Sequence, residues 1–188
     1  MSNLLEILKD LDWSPLYISI KTAIVATIIS FAIGIHLAKK ATFYGDKRKA
    51  FVDGILSLPI VLPPTVAGFI LLIIFSKRRP LGSFLFEKFD ISVVQTWLGC
   101  ILAATIISLP LMYQNARAAF EQVDKNIIYS ARTLGMSERK IFYRVLVPAA
   151  RPGLVAGIIL CFARAMGEYG ATSMVAGNIP GRTGTISQ

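Results

Sequence analysis

Arg164 and Glu168 are the residues whose types and spacing most directly suggest chemistry with a charged solute. They stand four residues apart near the end of a long apolar segment, so on an α-helix they share one face. Arg164 could contact an anion there, or the pair could hold a gate, because ionisable groups at membrane depth often line a solute path. A structural ion pair at a helix end is the simpler interpretation, and isolated pairs of that kind contribute little stability.

A proline cluster and several hydroxyl groups form a second set of candidates. Residues 58–65 read LPIVLPPT, in which every proline removes a backbone hydrogen-bond donor. In lipid the freed carbonyl groups need partners, so this stretch should face protein or a water-filled path. We therefore expect Pro63, Pro64 and Thr65 to lie along a translocation path, and a kinked helix without a transport role is the alternative. Hydroxyl groups that could donate to an oxyanion belong to Thr65, Thr172 and Ser173.

No residue pattern in the sequence supports an enzyme. The nucleotide-binding pattern G-x-x-x-x-G-K-[ST] does not occur, and the single histidine, His36, excludes the zinc motif H-E-x-x-H. Cys100 and Cys161 lie in apolar segments without a nearby cysteine or histidine, so we interpret them as small packed side chains. The chain is therefore predicted to bind no metal and no cofactor, and any energy source must belong to a separate partner.

Composition indicates a membrane protein. The chain is 54% hydrophobic and 16% charged, whereas soluble domains carry about 25% charged residues. The formal net charge of +9 could suggest nucleic acid, but the basic residues lie between apolar segments rather than in a polar domain. That distribution is typical of loops at a membrane surface, so we expect lipid and no nucleic acid as a partner.

Four apolar segments are long enough to cross a bilayer, which takes about 20 helical residues. An amphipathic stretch at residues 3–13 precedes them and predicts a short interfacial helix. Lys21, inside the first segment, can extend to the interface or face the interior of the bundle. The sequence thus predicts an all-α polytopic bundle forming a single transmembrane domain over residues 1–188, with spans at 15–38, 51–75, 91–113 and 145–166.

The distribution of lysine and arginine predicts the orientation. The loop after the first span and the loop between the third and fourth spans carry eleven of these residues, against six on the opposite side. Because cytoplasmic loops are enriched in basic residues, those two loops are predicted to be cytoplasmic. The N-terminus and the residues after Glu168 then lie outside.

The loop at residues 115–144 is too long for a simple connection. Apolar residues recur at approximately helical spacing from Ala118 to Leu134, Gly135 interrupts the pattern, and Ser137 can cap a second helix. This predicts a cytoplasmic helical hairpin that could insert into a groove on a partner. A helix lying on the lipid headgroups is the alternative.

The hairpin carries a spacing that resembles the coupling motif of ABC importer permeases. That motif is Glu-Ala-Ala, three residues, Gly, nine residues and Ile-x-Leu-Pro. Here Tyr129-Ser130-Ala131 is followed at the same spacing by Gly135 and by Val145-Leu146-Val147-Pro148. The resemblance implies contact with an ATPase subunit, and it assigns that contact to Ala131, Leu134, Gly135, Met136 and Pro148.

Longer segments resemble one branch of that family, the molybdate permeases, with sulfate permeases as near relatives. They are residues 58–69, 108–124, 130–137 and 162–183, and the resemblance covers nearly the whole chain from the first span onward. It implies the type I ABC importer fold, a homodimer of permease subunits, two ATPase subunits and an extracytoplasmic oxyanion-binding protein. The membrane would be the plasma (inner) membrane of a prokaryote, and the expected anion is molybdate, with tungstate and sulfate as alternatives.

The outward segment after Glu168 is the last feature of the resemblance. Asn178, Gly181 and Thr183 belong to it, and we expect them to support a gate or the docking of the binding protein. The family has a further span after this segment, so the chain is expected to lack the final span, which leaves a non-transporting membrane anchor as an alternative. A secondary transporter or channel is a third hypothesis, but it predicts repeated halves that the sequence does not show.

Overall fold

The structure is a computed structural model that describes residues 12–41 and 46–188, with side chains from residue 49 onward in the second range. The interfacial helix predicted at residues 3–13 lies outside the described residues, apart from its last two positions. All regular structure in the described part is helical, which confirms the all-α class. In chain order the first five helices are α1 (Ser14–Ala41), α2 (Asp46–Val61), α3 (Pro64–Phe75), α4 (Pro80–Phe89) and α5 (Trp97–Glu121).

The second half of the described chain is built from shorter helical pieces. A π-helical turn, Phe142–Leu146, joins two of them without an intervening loop. The helices are α6 (Lys125–Thr133), α7 (Glu138–Ile141), α8 (Val147–Ala149), α9 (Arg151–Met166) and α10 (Gly170–Ala176).

Helices α1 and α5 form the centre of the bundle, and α9 packs against both. Their contact is made by small side chains such as Ala23, Ala26 and Ala104, which are all buried. Small residues let helices approach closely in a membrane, where apolar surface alone gives no preference for protein over lipid. The hydroxyl groups of Ser30 and Ser108 lie 3.1 Å apart across the same contact, so each has a partner inside the protein.

Within the described ranges, two helices, α1 and α5, are long and apolar enough to cross a membrane by themselves. The first and third predicted spans fall largely on them, although α5 begins only at Trp97 and continues to Glu121. The stretch 115–121, predicted as part of the loop, is therefore the last part of this helix. It remains helical because Ala116, Ala119 and Phe120 are buried against the rest of the bundle.

The other two predicted spans are bent pairs of helices. Residues Lys49–Val61 and Pro64–Phe75 meet at an angle of 106°, so the predicted 51–75 segment is a broken span or a re-entrant loop. The break has a local cause, because a residue before proline is driven out of the helical region, and Pro63 has ψ 133°. Residues Glu138–Ala149 and Arg151–Met166 meet at 73°.

Helix α4 has no counterpart among the predicted elements. It begins with Pro80 and is capped at its C-terminal end by Asp90, which has a left-handed φ of 52°. Phe84 and Phe86 are exposed, and the ammonium groups of Lys88 and Lys77 lie 5.3 and 3.7 Å from their respective ring centres. Exposed rings beside lysines are typical of a helix that lies along a membrane surface.

Candidate coupling hairpin and broken helix

The hairpin between α5 and α9 begins with a well-formed cap. The Asp124 side chain accepts a hydrogen bond of 2.9 Å from the backbone N–H of Asn126 at the start of α6. Aspartate is among the preferred residues at this position, because it satisfies a backbone donor that the helix leaves free. The short connection from α5 to α6 is thereby fixed, and α6 is held at the end of the long central helix.

Helix α6 ends in a Schellman motif centred on Gly135. The Gly135 N–H donates to the Arg132 carbonyl at 2.9 Å, and the Met136 N–H donates to the Ala131 carbonyl at 3.2 Å. Gly135 has a φ of 74°, a conformation that L-residues with a side chain rarely adopt. A Cβ added there would meet no atom within 4 Å, so this position requires glycine for its backbone conformation alone.

An ion pair closes the hairpin across the glycine turn. The Arg132 guanidinium donates from Nε to Glu138 Oε1 at 2.7 Å and from a terminal nitrogen to Oε2 at 3.1 Å. Hydrogen bonding to this carboxylate raises the pKa of Arg132 above its ordinary value. Both side chains are exposed, so the pair orients the two helices more than it stabilises the fold.

The structure brings four of the five predicted coupling residues into one turn. Ala131 is buried against the body of the hairpin, Met136 is half-buried, and Leu134 at the tip is 80% exposed. The fifth, Pro148, lies in α8 beyond the π-helical turn, and the long helix that follows begins only at Arg151. The bend at Ala150 separates Pro148 from that helix start.

A groove of about 490 Å³ lies between the hairpin and the end of α5. Phe120 and Phe142 lie in its wall with ring centres 5.6 Å apart in an edge-to-face arrangement. Ile128 of α6 lines the groove and packs against the same buried cluster. The hairpin is therefore joined to α5 by an apolar contact, and its position depends on that of the central helix.

The proline break meets the start of α10. A Cβ added to Gly170 would lie 2.9 Å from Pro64 Cβ and 3.0 Å from the Thr65 backbone nitrogen. One turn further along, a Cβ on Gly68 would lie 2.6 Å from the Cα of Ala171. The first turns of α3 and α10 thus touch through backbone atoms. Pro63 and Thr65 are exposed beside this contact, and Pro64 is half-buried.

Arg164 and Glu168 form an ion pair, with Arg164 Nη1 2.6 Å from Glu168 Oε2. The other carboxylate oxygen accepts a hydrogen bond of 2.8 Å from the Ala171 N–H, in the first turn of α10. The side chain of Glu168 is 1% exposed and that of Arg164 is 32% exposed. A buried carboxylate at a helix N-terminus is stabilised by the helix dipole, so this geometry favours the structural interpretation.

Glu168→Ala is expected to destabilise the chain by about 2 kcal/mol, because it leaves the Ala171 N–H and one side of Arg164 without their partner. Thermal unfolding in detergent measures the change. Glu168→Gln retains an acceptor for the Ala171 N–H and should lose roughly half as much. Normal stability of Glu168→Ala together with loss of anion uptake would contradict the structural role and support a role in the path.

The three predicted hydroxyl donors differ in exposure and in bonding. Thr65 is exposed, whereas Thr172 is buried and the Ser173 hydroxyl donates to the Gly170 carbonyl at 3.0 Å.

Thr183 is fully buried: its hydroxyl accepts from the Ile179 N–H and lies 3.0 Å from the Ala176 carbonyl. The Thr183 hydroxyl therefore holds the turn after α10 through internal hydrogen bonds. Asn178 and Gly181, with φ 71° at the glycine, are exposed on that turn.

A polar network between α2 and α5 was absent from the sequence predictions. The signal in the sequence was the carboxylate of Asp53 inside the predicted 51–75 span, since an ionisable residue at such a position needs a partner. The residues of this network are Lys49, Asp53, Ser57, Tyr113, Gln114, Arg117 and Glu121.

Comparison with known proteins gives one family and a consistent set of relatives. A family described as binding-protein-dependent transport system inner membrane component matches residues 19–188. The molybdenum transport system permease protein ModB of Escherichia coli (strain K12) is 40% identical over 183 residues, which cover 96% of this chain and 79% of that protein.

Two further relatives extend the comparison. ModB of Haemophilus influenzae is 33% identical over 179 residues, covering 94% of this chain and 77% of that protein. The sulfate transport system permease protein CysT of Salmonella typhimurium is 34% identical over 170 residues, covering 90% of this chain and 61% of that protein.

Proposed function

The chain belongs to the family of binding-protein-dependent transport system inner membrane components, and from that membership we propose that it is the permease subunit of an ATP-driven importer of molybdate. The identity of 40% to a molybdenum permease over 96% of the chain carries this proposal. It also confirms the family resemblance found in the sequence. Because a sulfate permease is 34% identical, sulfate is the competing substrate, and tungstate shares the tetrahedral shape and charge of both.

The hairpin is the proposed contact with the ATPase. The large apolar side chain of Leu134, at the tip of the hairpin, is 80% exposed, which fits insertion into a groove on another protein. The Schellman motif at Gly135 and the ion pair between Arg132 and Glu138 hold that tip in one shape. A rigid element of this kind can pass a displacement from one protein to the next.

The broken helix is the proposed element of the anion path. Pro63 and Thr65 are exposed where α3 begins, and backbone outside a helix is expensive in lipid. A second copy of the chain would complete a path along this face. We further propose two ATPase subunits on the cytoplasmic side, an oxyanion-binding protein outside, and an N-terminus outside the membrane. ATP hydrolysis is assigned to the partner, because the sequence lacks the nucleotide-binding pattern.

Uptake in reconstituted vesicles tests this function. The full chain is reconstituted with its ATPase and binding protein, and labelled molybdate is supplied on the side of the binding protein. We expect accumulation that requires ATP and that excess unlabelled tungstate suppresses more strongly than sulfate. Accumulation of sulfate but not molybdate would assign the chain to sulfate import. A failure to bind any ATPase, with no accumulation of either anion, would support the membrane anchor.

A further inference from the structure

Helix α2 is joined to α5 by a series of polar contacts spaced one helical turn apart, which we call the polar ladder. Lys49 Nζ lies 2.5 Å from Glu121 Oε1 in the first contact. Asp53 pairs with the Arg117 guanidinium in the second, and the Gln114 amide donates to the Ser57 hydroxyl at 3.2 Å in the third. Within the described residues α5 is the main neighbour of α2, so these contacts act together with the apolar packing of Val52 and Leu56 to hold α2.

The second contact of the polar ladder is its centre. Asp53 accepts a hydrogen bond of 2.6 Å from the Tyr113 hydroxyl with the carboxylate oxygen that Arg117 leaves free. Tyr113 is 1% exposed, while the side chains of Asp53 and Arg117 are 29% and 26% exposed. Charges shielded to this degree are weakened less by solvent than surface pairs are. Two groups therefore converge on the Asp53 carboxylate, one on each oxygen, and one of them is the fully buried Tyr113 hydroxyl.

The order of charges in the polar ladder permits a single register. Along α2 a cation is followed one turn later by an anion, and along α5 the facing groups are Glu121 and then Arg117. A slip of one turn in one direction places Lys49 beside Arg117, and a slip in the other places Asp53 beside Glu121. Both slips bring like charges together, and juxtaposed like charges oppose an interface strongly. The polar ladder therefore resists sliding of α2 along α5.

The two helices joined in this way lead to the two halves of the candidate site. The end of α5 continues through Asp124 into the coupling hairpin. The end of α2 leads through Pro63 into α3, where Thr65 is exposed. A displacement of the hairpin can reach the broken helix through the polar ladder only if α2 follows α5.

We propose that Asp53 is a positioning residue that locks α2 to α5 in one register, so that movement of the coupling hairpin is passed to the broken helix. This inference rests on the proposed function, because it assigns a route for coupling within the same transporter. It predicts that the ratio of anion transported to ATP hydrolysed depends on the pairing of charges in the polar ladder. A purely structural contact would change the amount of folded protein and leave that ratio unaltered.

The test inverts the charges on one helix and then on both. The α2-only variant carries Lys49→Glu and Asp53→Lys, which places like charges opposite Glu121 and Arg117. The full inversion adds Arg117→Glu and Glu121→Lys and so restores opposite charges throughout. Each variant is reconstituted with its ATPase and binding protein, and molybdate uptake and phosphate release are measured in the same vesicles. Glu87→Gln, on exposed α4, is the matched surface control.

The α2-only variant is expected to lower the number of anions transported per ATP by about tenfold, within the range of typical coupling energies. The full inversion should restore the ratio to within about twofold of the unmodified chain. A ratio that stays constant in both variants, whatever the yield of assembled protein, would overturn the proposal. If the unmodified chain neither binds the ATPase nor takes up anion, the proposed function itself fails, and this inference fails with it.

Discussion

Replacing Gly135 with isoleucine is expected to abolish ATP-driven uptake and leave the bundle folded. The residue has a φ of 74°, and an L-residue in the left-handed region costs about 1–2 kcal/mol, with β-branched side chains among the worst. The added atoms would meet nothing within 4 Å of the Cβ, so the strain falls on the turn alone. Relief of that strain breaks the hydrogen bonds from Gly135 and Met136 that hold the tip. Co-purification of the ATPase and uptake in vesicles measure the effect.

Gly135→Asn is the matched control for this prediction. Asparagine tolerates the left-handed region better than other residues with a side chain, so most of the uptake should remain. Thermal unfolding of the permease in detergent should be nearly the same for both variants and the unmodified chain, because the turn is exposed. Uptake and ATPase binding that survive Gly135→Ile would remove the central support for the hairpin as the coupling element.

Replacing Gly68 with valine is expected to separate α3 from α10 and to abolish uptake through loss of the native packing. The Cβ would lie 2.6 Å from Ala171 Cα and 2.9 Å from the Ala171 carbonyl oxygen, so backbone rather than a flexible side chain has to move. Overpacking of this kind costs typically 1–3 kcal/mol. The unfolding temperature in detergent should fall clearly, and accessibility of α3 to proteolysis should increase.

Gly54 gives a control with the same substitution in a helix of the same chain. A Cβ there meets no atom within 4 Å, so Gly54→Val adds volume without a clash. Its effect should remain within about 0.5 kcal/mol, as for most surface substitutions. Equal destabilisation by the two valines would contradict the close approach of α3 and α10, because helix propensity itself favours valine over glycine at both positions.

The features that the sequence predicted well are those with local causes. The length of the apolar stretch from Pro15 to Ala38 is enough to predict α1, and adjacent prolines at 63 and 64 are enough to predict a break. Gly135 predicts the end of α6 because the left-handed residue of the cap is itself a local requirement. The all-α class and the family follow from such patterns, and both are confirmed.

The features that the sequence did not predict depend on contacts between distant residues. Lys49 and Glu121 are separated by 72 positions, and they meet only because α2 and α5 turn these faces toward each other in the folded chain. Burial of Ala119 and Phe120 against other parts of the bundle extends α5 beyond the predicted span. Helix α4 was not predicted because its ten residues are too few for a span, although Leu81, Phe84 and Leu85 recur at helical spacing.

The burial of both cysteines has a practical consequence for following the hairpin in motion. The thiols of Cys100 and Cys161 are each 0% exposed, so neither is accessible to a water-soluble maleimide in the folded chain. A cysteine introduced at the exposed position of Leu134 would therefore be the accessible thiol. A spin label or fluorophore attached there would report the distance between the two hairpin tips of the proposed homodimer during the ATP cycle. The two native cysteines would therefore remain unlabelled, and the signal would come from the introduced position alone.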